Sequence, residues 1–261
     1  MKHIVNFSGG LCSFWAAFRV VQSHGTADVT LLFVDTLIED DDLYAFNLKA
    51  SKILGVPITR ISEGLEPWDL FEQQGIIGNS KYPICSVYLK REPLNTFCRA
   101  NLIEMDAILY LGFDWTEPHR LDDLRREKPT WRIEAPMTEE PIWDKCRMQA
   151  EADKIGLPRC RLYELGFPHN NCGGFCVRAG ISHFVHLYHV LPERYAYHEQ
   201  KEKVCMARLR ERGIDAMSIL KDRRGGEPKM LTLEMLRQRI EAGVKMPKYE
   251  WGGCGCGGAT I

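Results

Sequence analysis

The chain has 261 residues, 45% of them hydrophobic, which allows a sizeable core and predicts one large domain or a domain with a smaller appendage. Lysine and arginine number 34 against 35 acids, a net charge of −1, so no global field draws the chain to nucleic acid or to a membrane. No apolar run approaches the length of about 18 residues that crosses a bilayer, and Ser8-Gly9-Gly10 interrupts the opening apolar stretch, unlike a signal peptide. A cytoplasmic location is expected, and the ten cysteines then read as metal ligands, reactive thiols or packed hydrophobes rather than disulfides.

His3 to Phe7 (HIVNF) is a short apolar run suited to a buried parallel strand. Ser8-Gly9-Gly10 follows, then Leu11, Cys12 and Ser13, and Phe14 to Val21 has the spacing of a helix start. A strand, a glycine turn and a helix opening make an anion site. The glycines let backbone approach closely, and the first N–H groups of the helix lack partners. Ser8 and Ser13 add hydroxyl donors. The loop lacks the lysine of G-x-x-x-x-G-K-[ST], and it is not G-x-G-x-x-G.

Val29 to Val34 reads as a second buried strand ending in Asp35-Thr36, polar groups where open α/β sheets bind ligands. The acidic run Glu39 to Asp42 caps a helix through Lys52, stopped by Gly55, and Val56 to Arg60 suggests a third strand. This βαβαβ rhythm predicts a right-handed, wound parallel sheet. A helix starting near Ser86 carries Lys90 and Arg91. Ala107 to Leu111 is a further strand, followed by Gly112, Glu117 and Arg120. Trp131 to Pro141 reads as a crossover and Ile142 to Ile155 as a helix. Arg159 to Gly180 is irregular and holds Cys160, Cys172 and Cys176. Helical patterns occupy Ile181 to Leu191, Pro192 to Gly213 and Thr232 to Ala242, with a charged loop over Lys221 to Lys229. The tail carries Cys254-Gly-Cys256 among glycines.

Four segments carry a resemblance. Ser8-Gly9-Gly10-x-x-Ser13 resembles the pyrophosphate loop of the PP-loop ATPases, the adenine nucleotide alpha hydrolases. Cys85 to Leu94 (CSVYLKREPL) is similar to the Cys-Cys-x-x-x-Lys-x-x-Pro-Leu segment of the phosphoadenosine and adenosine phosphosulfate reductases. Gly112 to Arg120 is similar to their Gly-x-x-x-x-Glu-x-x-Arg stretch, and Leu162 to Cys176 to their Leu-Tyr-x-x-Gly-Tyr-x-x-x-Gly-Cys-x-x-Cys segment. The four matches come in the family's order and span most of residues 1–180. The departures are as specific: Ser86 stands where cluster-bearing reductases have a second cysteine, Cys172 and Cys176 are one residue further apart, and no Glu-Cys-Gly-Leu-His motif is present. The chain looks more like the reductase-related proteins of phages and mobile elements.

The resemblance implies a Rossmann-like (HUP-type) α/β fold, with a nucleotide-binding domain over 1–158 and a helical, cysteine-containing region over 159–261. It implies that Ser8, Gly9, Gly10 and Ser13 grip the β- and γ-phosphates of ATP with Mg²⁺, leaving the α-phosphorus open. Asp35 and Thr36 then face the adenosine or Mg²⁺, Gly112 and Arg178 join the nucleotide site, and Lys90, Glu117 and Arg120 serve catalysis. Cleavage to AMP and pyrophosphate, with adenylation of a second substrate (a nucleotide, or a tRNA or DNA base), is the leading function. Sulfur transfer is one use for it. Reduction of an adenylyl sulfate and ATP binding without turnover are the alternatives. Cys172, Cys176, Cys254 and Cys256 make a complete thiolate set for Zn²⁺ or a [4Fe–4S] cluster, with Cys85 able to replace one tail cysteine. Cys12, Cys98, Cys146 and Cys205 read as packed hydrophobes, and His183, His186 and His189 as one face of a core helix. His169 is the histidine better suited to function. The sequence leaves the oligomeric state open, with a homodimer as one arrangement.

Overall fold

The computed structural model describes residues 1–223, 226–247 and 251. The chain runs β1 (Lys2–Asn6), α1 (Leu11–His24), β2 (Val29–Val34), α2 (Asp41–Leu54), β3 (Ile58–Ile61) and α3 (Pro67–Gln74). Next come α4 (Ile84–Ser86), a π turn (Val87–Arg91), α5 (Glu92–Asn101), β4 (Ala107–Leu111), α6 (Pro118–Glu127), β5 (Arg132–Glu134) and α7 (Lys145–Lys154). Then follow α8 (Arg161–Glu164), α9 (Ile181–Val190), α10 (Pro192–Glu211), β6 (Leu220–Asp222), β7 (Lys229–Leu231) and α11 (Leu233–Glu241).

Five strands form one sheet in the order β3-β2-β1-β4-β5, all pairs parallel, as the apolar runs and the wound rhythm predict. β2 is apolar at nearly every position because both of its faces are covered, as interior parallel strands require. The chain leaves β1 for β2 on one side and reaches β4 on the other, which places the topological switch point between β1 and β4. Ligands of such sheets bind outside the carboxyl ends of the strands at that point.

Two apolar cores flank the ligand edge. One packs Phe14, Trp15 and Ala17 of α1 against Val5, Leu31, Tyr110 and Met148. The other gathers Phe175, Phe184, Leu187, Tyr195 and Leu209 of the C-terminal helical part, and it recruits Trp68, Phe71 and Ile77 from the first half of the chain. α2 begins at Asp40, whose carboxylate accepts the Asp42 N–H at 3.3 Å, and ends at Gly55 in the left-handed region.

Four expectations need correction. Residues 131–141 contain β5, an edge strand too short to show a period. The 221–229 segment belongs to an antiparallel hairpin in which Leu220 to Asp222 pairs with Lys229 to Leu231. The helix expected from Ile142 starts at Lys145, because Asp144 caps it by accepting the Arg147 N–H at 2.7 Å. Cys146 is exposed on that helix, not packed, whereas Cys98 and Cys205 are buried.

Candidate functional site

The loop after β1 is shaped by steric demands. Gly9 lies at φ +74°, and a Cβ there would sit 2.8 Å from Leu43 and 2.9 Å from Asn47 of α2. A Cβ on Gly112, at the end of β4, would stand 2.6 Å from the Cα of Ser13. Gly9 therefore lets the loop pass tight beneath side chains of α2, and Gly112 brings the end of β4 against the start of α1. The Ser13 hydroxyl donates to the Gly10 carbonyl at 2.8 Å, and the Ser8 hydroxyl to Ser13 Oγ at 3.2 Å. The Gly9 carbonyl accepts from Asn170 Nδ2 at 3.3 Å and from the Cys160 thiol, so the irregular C-terminal segment braces the loop from behind. The N-cap, Gly10, has no side chain to accept the N–H groups of the first turn of α1, and its own N–H donates to Ser13 Oγ at 3.3 Å.

Beyond this loop lies a cavity of about 510 Å³, within the range of small-molecule sites. The ends of β1, β2 and β4, the π turn, α5, α6 and residues 168–171 wall it. Two of its cations are held by acids. Lys90 Nζ lies 3.3 Å from Glu39 Oε1, with side-chain exposures of 16% and 2%. Arg120 pairs with Glu117 and stacks its guanidinium 4.4 Å from the Phe113 ring centroid. Glu117 also accepts the Asp114 N–H at 3.2 Å, fixing the turn after β4. Arg91 Nε and Arg120 Nη2 are buried with no hydrogen-bond partner, donors whose desolvation a bound anion would offset. The π turn gives the helix its extra residue where Lys90 and Arg91 meet the cavity, a common association of such bulges with sites.

The structure brings Ser8, Gly10, Ser13, Lys90, Gly112, Glu117 and Arg120 into one lining, with Gly9 directly behind it. Asp35, Thr36 and Arg178 are not part of that lining. Asp35 is buried and engaged: Arg60 lies at 2.6 Å, the Tyr44 hydroxyl donates at 3.0 Å, and the Leu37 N–H donates at 2.8 Å. That last bond supports Leu37 at φ +62°. Thr36 donates to Glu39 at 3.0 Å.

Arg178 lines a separate narrow crevice with Thr36, Cys85, Lys90, Cys172 and Cys176. Among the described residues no three His, Cys, Asp or Glu side chains stand close enough to hold a metal ion. Cys254 and Cys256 lie outside the described residues. The approach to them is defined: the Trp251 carbonyl accepts the Gly180 N–H at 3.0 Å, and its indole lies 5.3 Å from the His186 ring.

Cys12 lines the cavity, but burial, then the charge of Asp114, pushes its thiol up to about 12, so it stays protonated. His183 and His186 bond the carbonyls of Gly174 (2.7 Å) and Leu165 (2.6 Å), bracing the irregular segment on α9. His169 lines the cavity and stacks on His183. Sequence reasoning passed over Glu39, which reads as part of a helix cap, and Tyr163 and Asn170, which carry no charge pattern to mark them.

No protein-family model matches the chain, and no curated protein matches it. Among solved structures it is similar to the phosphoadenylyl-sulfate (PAPS) reductase from Candida auris in its phosphate complex. The identity is 18%, over 64% of this chain and 79% of that one, with a TM-score of 0.45.

Proposed function

We propose that the chain is an ATP-binding enzyme of the PP-loop superfamily, in its reductase-like branch, that cleaves ATP to AMP and pyrophosphate and adenylates a second substrate on the way. One observation carries this reading: the start of α1, with Gly10 as its N-cap and the Ser8 and Ser13 hydroxyls beside it, opens onto a cavity that also holds Lys90, Arg91 and Arg120. Residues 1–158 supply the nucleotide domain and 159–261 the cysteine-bearing part.

In the proposed reaction the β- and γ-phosphates, carrying Mg²⁺, lie on the loop. A lone pair of the second substrate attacks the α-phosphorus, and the bond from that phosphorus to the bridging oxygen breaks. Pyrophosphate leaves with the electron pair. Its growing charge meets the backbone N–H groups and Lys90, and Arg120 faces the transferred group, donors fixed in advance by Glu39 and Glu117. A second nucleophile, water included, then attacks the adenylated atom of the substrate and expels AMP with the electrons of the bond that breaks. Mixing the chain with ATP and Mg²⁺ and a candidate acceptor should yield AMP and pyrophosphate in equal amounts. ADP as the main product would overturn the reading. Lys90→Ala and Arg120→Ala should each slow turnover about 100-fold. Thiol-dependent release of sulfite from an adenylyl sulfate would identify the reductase reaction instead, and binding without product an accessory role.

We further propose that Cys172, Cys176, Cys254 and Cys256 hold Zn²⁺ or a [4Fe–4S] cluster; Cys85, expected as a substitute ligand, does not stand close enough to Cys172 and Cys176 to complete a site with them. Cys85, Cys172 and Cys176 share one crevice. Trp251, three residues before Cys254, is tied to Gly180, four residues after Cys176. Three residues reach at most about 11 Å. Zn²⁺ would brace the segment, and a cluster would supply electrons or sulfur. Metal analysis and the visible spectrum of an anaerobic preparation separate the two, and Cys172→Ser should lose the metal.

A further inference from the structure

The cavity and the cysteine crevice share a wall, and one carboxylate holds that wall together. Glu39 is not the cap of α2, since Asp40 fills that role. Its side chain is 2% exposed and accepts three donors from three different segments. The Thr36 hydroxyl donates at 3.0 Å from the end of β2, Lys90 Nζ at 3.3 Å from the π turn, and the Cys172 N–H from the irregular segment. Lys90 lines both the cavity and the crevice. Cys172 sits at φ +55°, in the left-handed region that a β-carbon disfavours, and Gly173 at φ +57° follows it. A non-glycine residue in that region is held by its surroundings, and here the hold includes the bond from its own N–H to Glu39.

We infer that Glu39 is a positioning residue that couples the two places: it sets Lys90 in the anion cavity and the Cys172 turn in the crevice with a single carboxylate. An anion that draws on Lys90 then acts on the same carboxylate that restrains Cys172. The effect is reciprocal, since whatever binds at the cysteines also acts on Lys90 through Glu39. The coupling needs an anion in the cavity, and in that respect it rests on the nucleotide-binding reading. The restraint on the Cys172 turn does not.

The test is hydrogen–deuterium exchange of the peptide spanning 172–177, which lies outside the cavity lining, in the full chain, with ATP affinity measured separately by titration calorimetry. Glu39→Ala removes all three acceptor contacts and should speed exchange of that peptide roughly tenfold, with the peptides of α9 and α10 unchanged. Glu39→Gln keeps an acceptor for the Cys172 N–H but removes the charge facing Lys90. Its exchange should stay within about threefold of wild type while ATP affinity shifts at least about fivefold, a split that a merely space-filling role would not give. In the wild type, saturating ATP should slow exchange of the peptide, and in Glu39→Ala saturating ATP should no longer do so. Unchanged exchange in Glu39→Ala, or equal protection by ATP in wild type and Glu39→Ala, would overturn the proposal. Failure of wild type to bind ATP would remove the nucleotide reading and the coupling with it, while the Glu39→Ala arm would still decide whether the carboxylate restrains the turn.

Discussion

Two glycines of the site differ in what a methyl group would meet. At Gly112 the added carbon would lie 2.7 Å from Ser13 N and 2.6 Å from its Cα, both backbone atoms that cannot swing aside. At Gly10 the nearest atoms are the Tyr163 hydroxyl at 3.5 Å and Ser8 Oγ at 3.7 Å, and φ is −108°, open to any residue. Gly112→Ala should therefore cost about 1–3 kcal/mol and displace the first turn of α1, lowering the thermal midpoint and weakening ATP binding about tenfold or more. Gly10→Ala should leave the thermal midpoint close to wild type. Calorimetry of both variants checks the contrast. At this scale the sequence reveals residues whose type and spacing name a chemistry. Ser8, Gly9, Gly10, Ser13, Lys90, Glu117 and Arg120 were legible as candidates, the last three through the motif resemblance, and the structure sets all but Gly9 in one cavity lining. Glu39 was not, because an acid before a helix reads as a cap, and only the fold shows that Asp40 caps while Glu39 turns inward.

At the scale of elements, Asp40 joins what the chain order keeps apart. Its carboxylate is fully buried and takes Arg161 at 2.6 Å, from the start of α8, and Arg194 at 3.0 Å, from α10. Burial alone would raise its pKa. The hydrogen bond from Arg161 and the charge of Arg194 outweigh that and hold it below the usual aspartate value. Both arginines keep some contact with solvent, Arg161 the more, so Asp40→Ala should destabilise the chain by about 1–3 kcal/mol through the lost ion pairs and the lost cap. A lower urea midpoint with an unchanged slope is the expected signature. The strands of the central sheet were readable because VTLLFV and AILYL are apolar at nearly every position, as strands covered on both faces are. β5 and the β6–β7 hairpin were not, since three residues carry no measurable period and their pairing is decided by the neighbour. α3 escaped for another reason: it packs through Trp68 and Phe71 into a core built mostly from residues past 160.

Across the whole molecule, buried titrating groups set opposing limits on stability. His3, His183 and His198 are buried, and burial is the first cause that holds each imidazole below its usual pKa. His198 is the extreme, accepting from Trp68 Nε1 at 3.1 Å and stacked 3.7 Å from the Phe175 ring. Below pH 6.5 the unfolded chain takes up protons that these sites refuse, so stability falls as pH drops, by up to about 1.4 kcal/mol per pH unit for each histidine. Glu202 acts in the opposite sense. It is buried in α10 and accepts the Ile219 N–H at 3.1 Å and the Leu233 N–H at 2.6 Å, tying the hairpin and α11 to that helix. Burial raises it from 4.5 to about 7, and the two backbone bonds only partly offset this. The folded chain thus binds the extra proton, and that contribution is lost as pH rises from about 4.5 to 7. At pH 6.5 each of these histidines in the unfolded chain is still about half protonated, so together they outweigh the single glutamate up to neutral pH and beyond. The thermal midpoint should therefore climb through pH 6.5 and level off above about pH 7. Glu202→Gln should steepen that climb between about pH 4.5 and 7, because the opposing contribution is gone. A wild-type climb as steep as that of Glu202→Gln would show that Glu202 does not carry its proton in the fold.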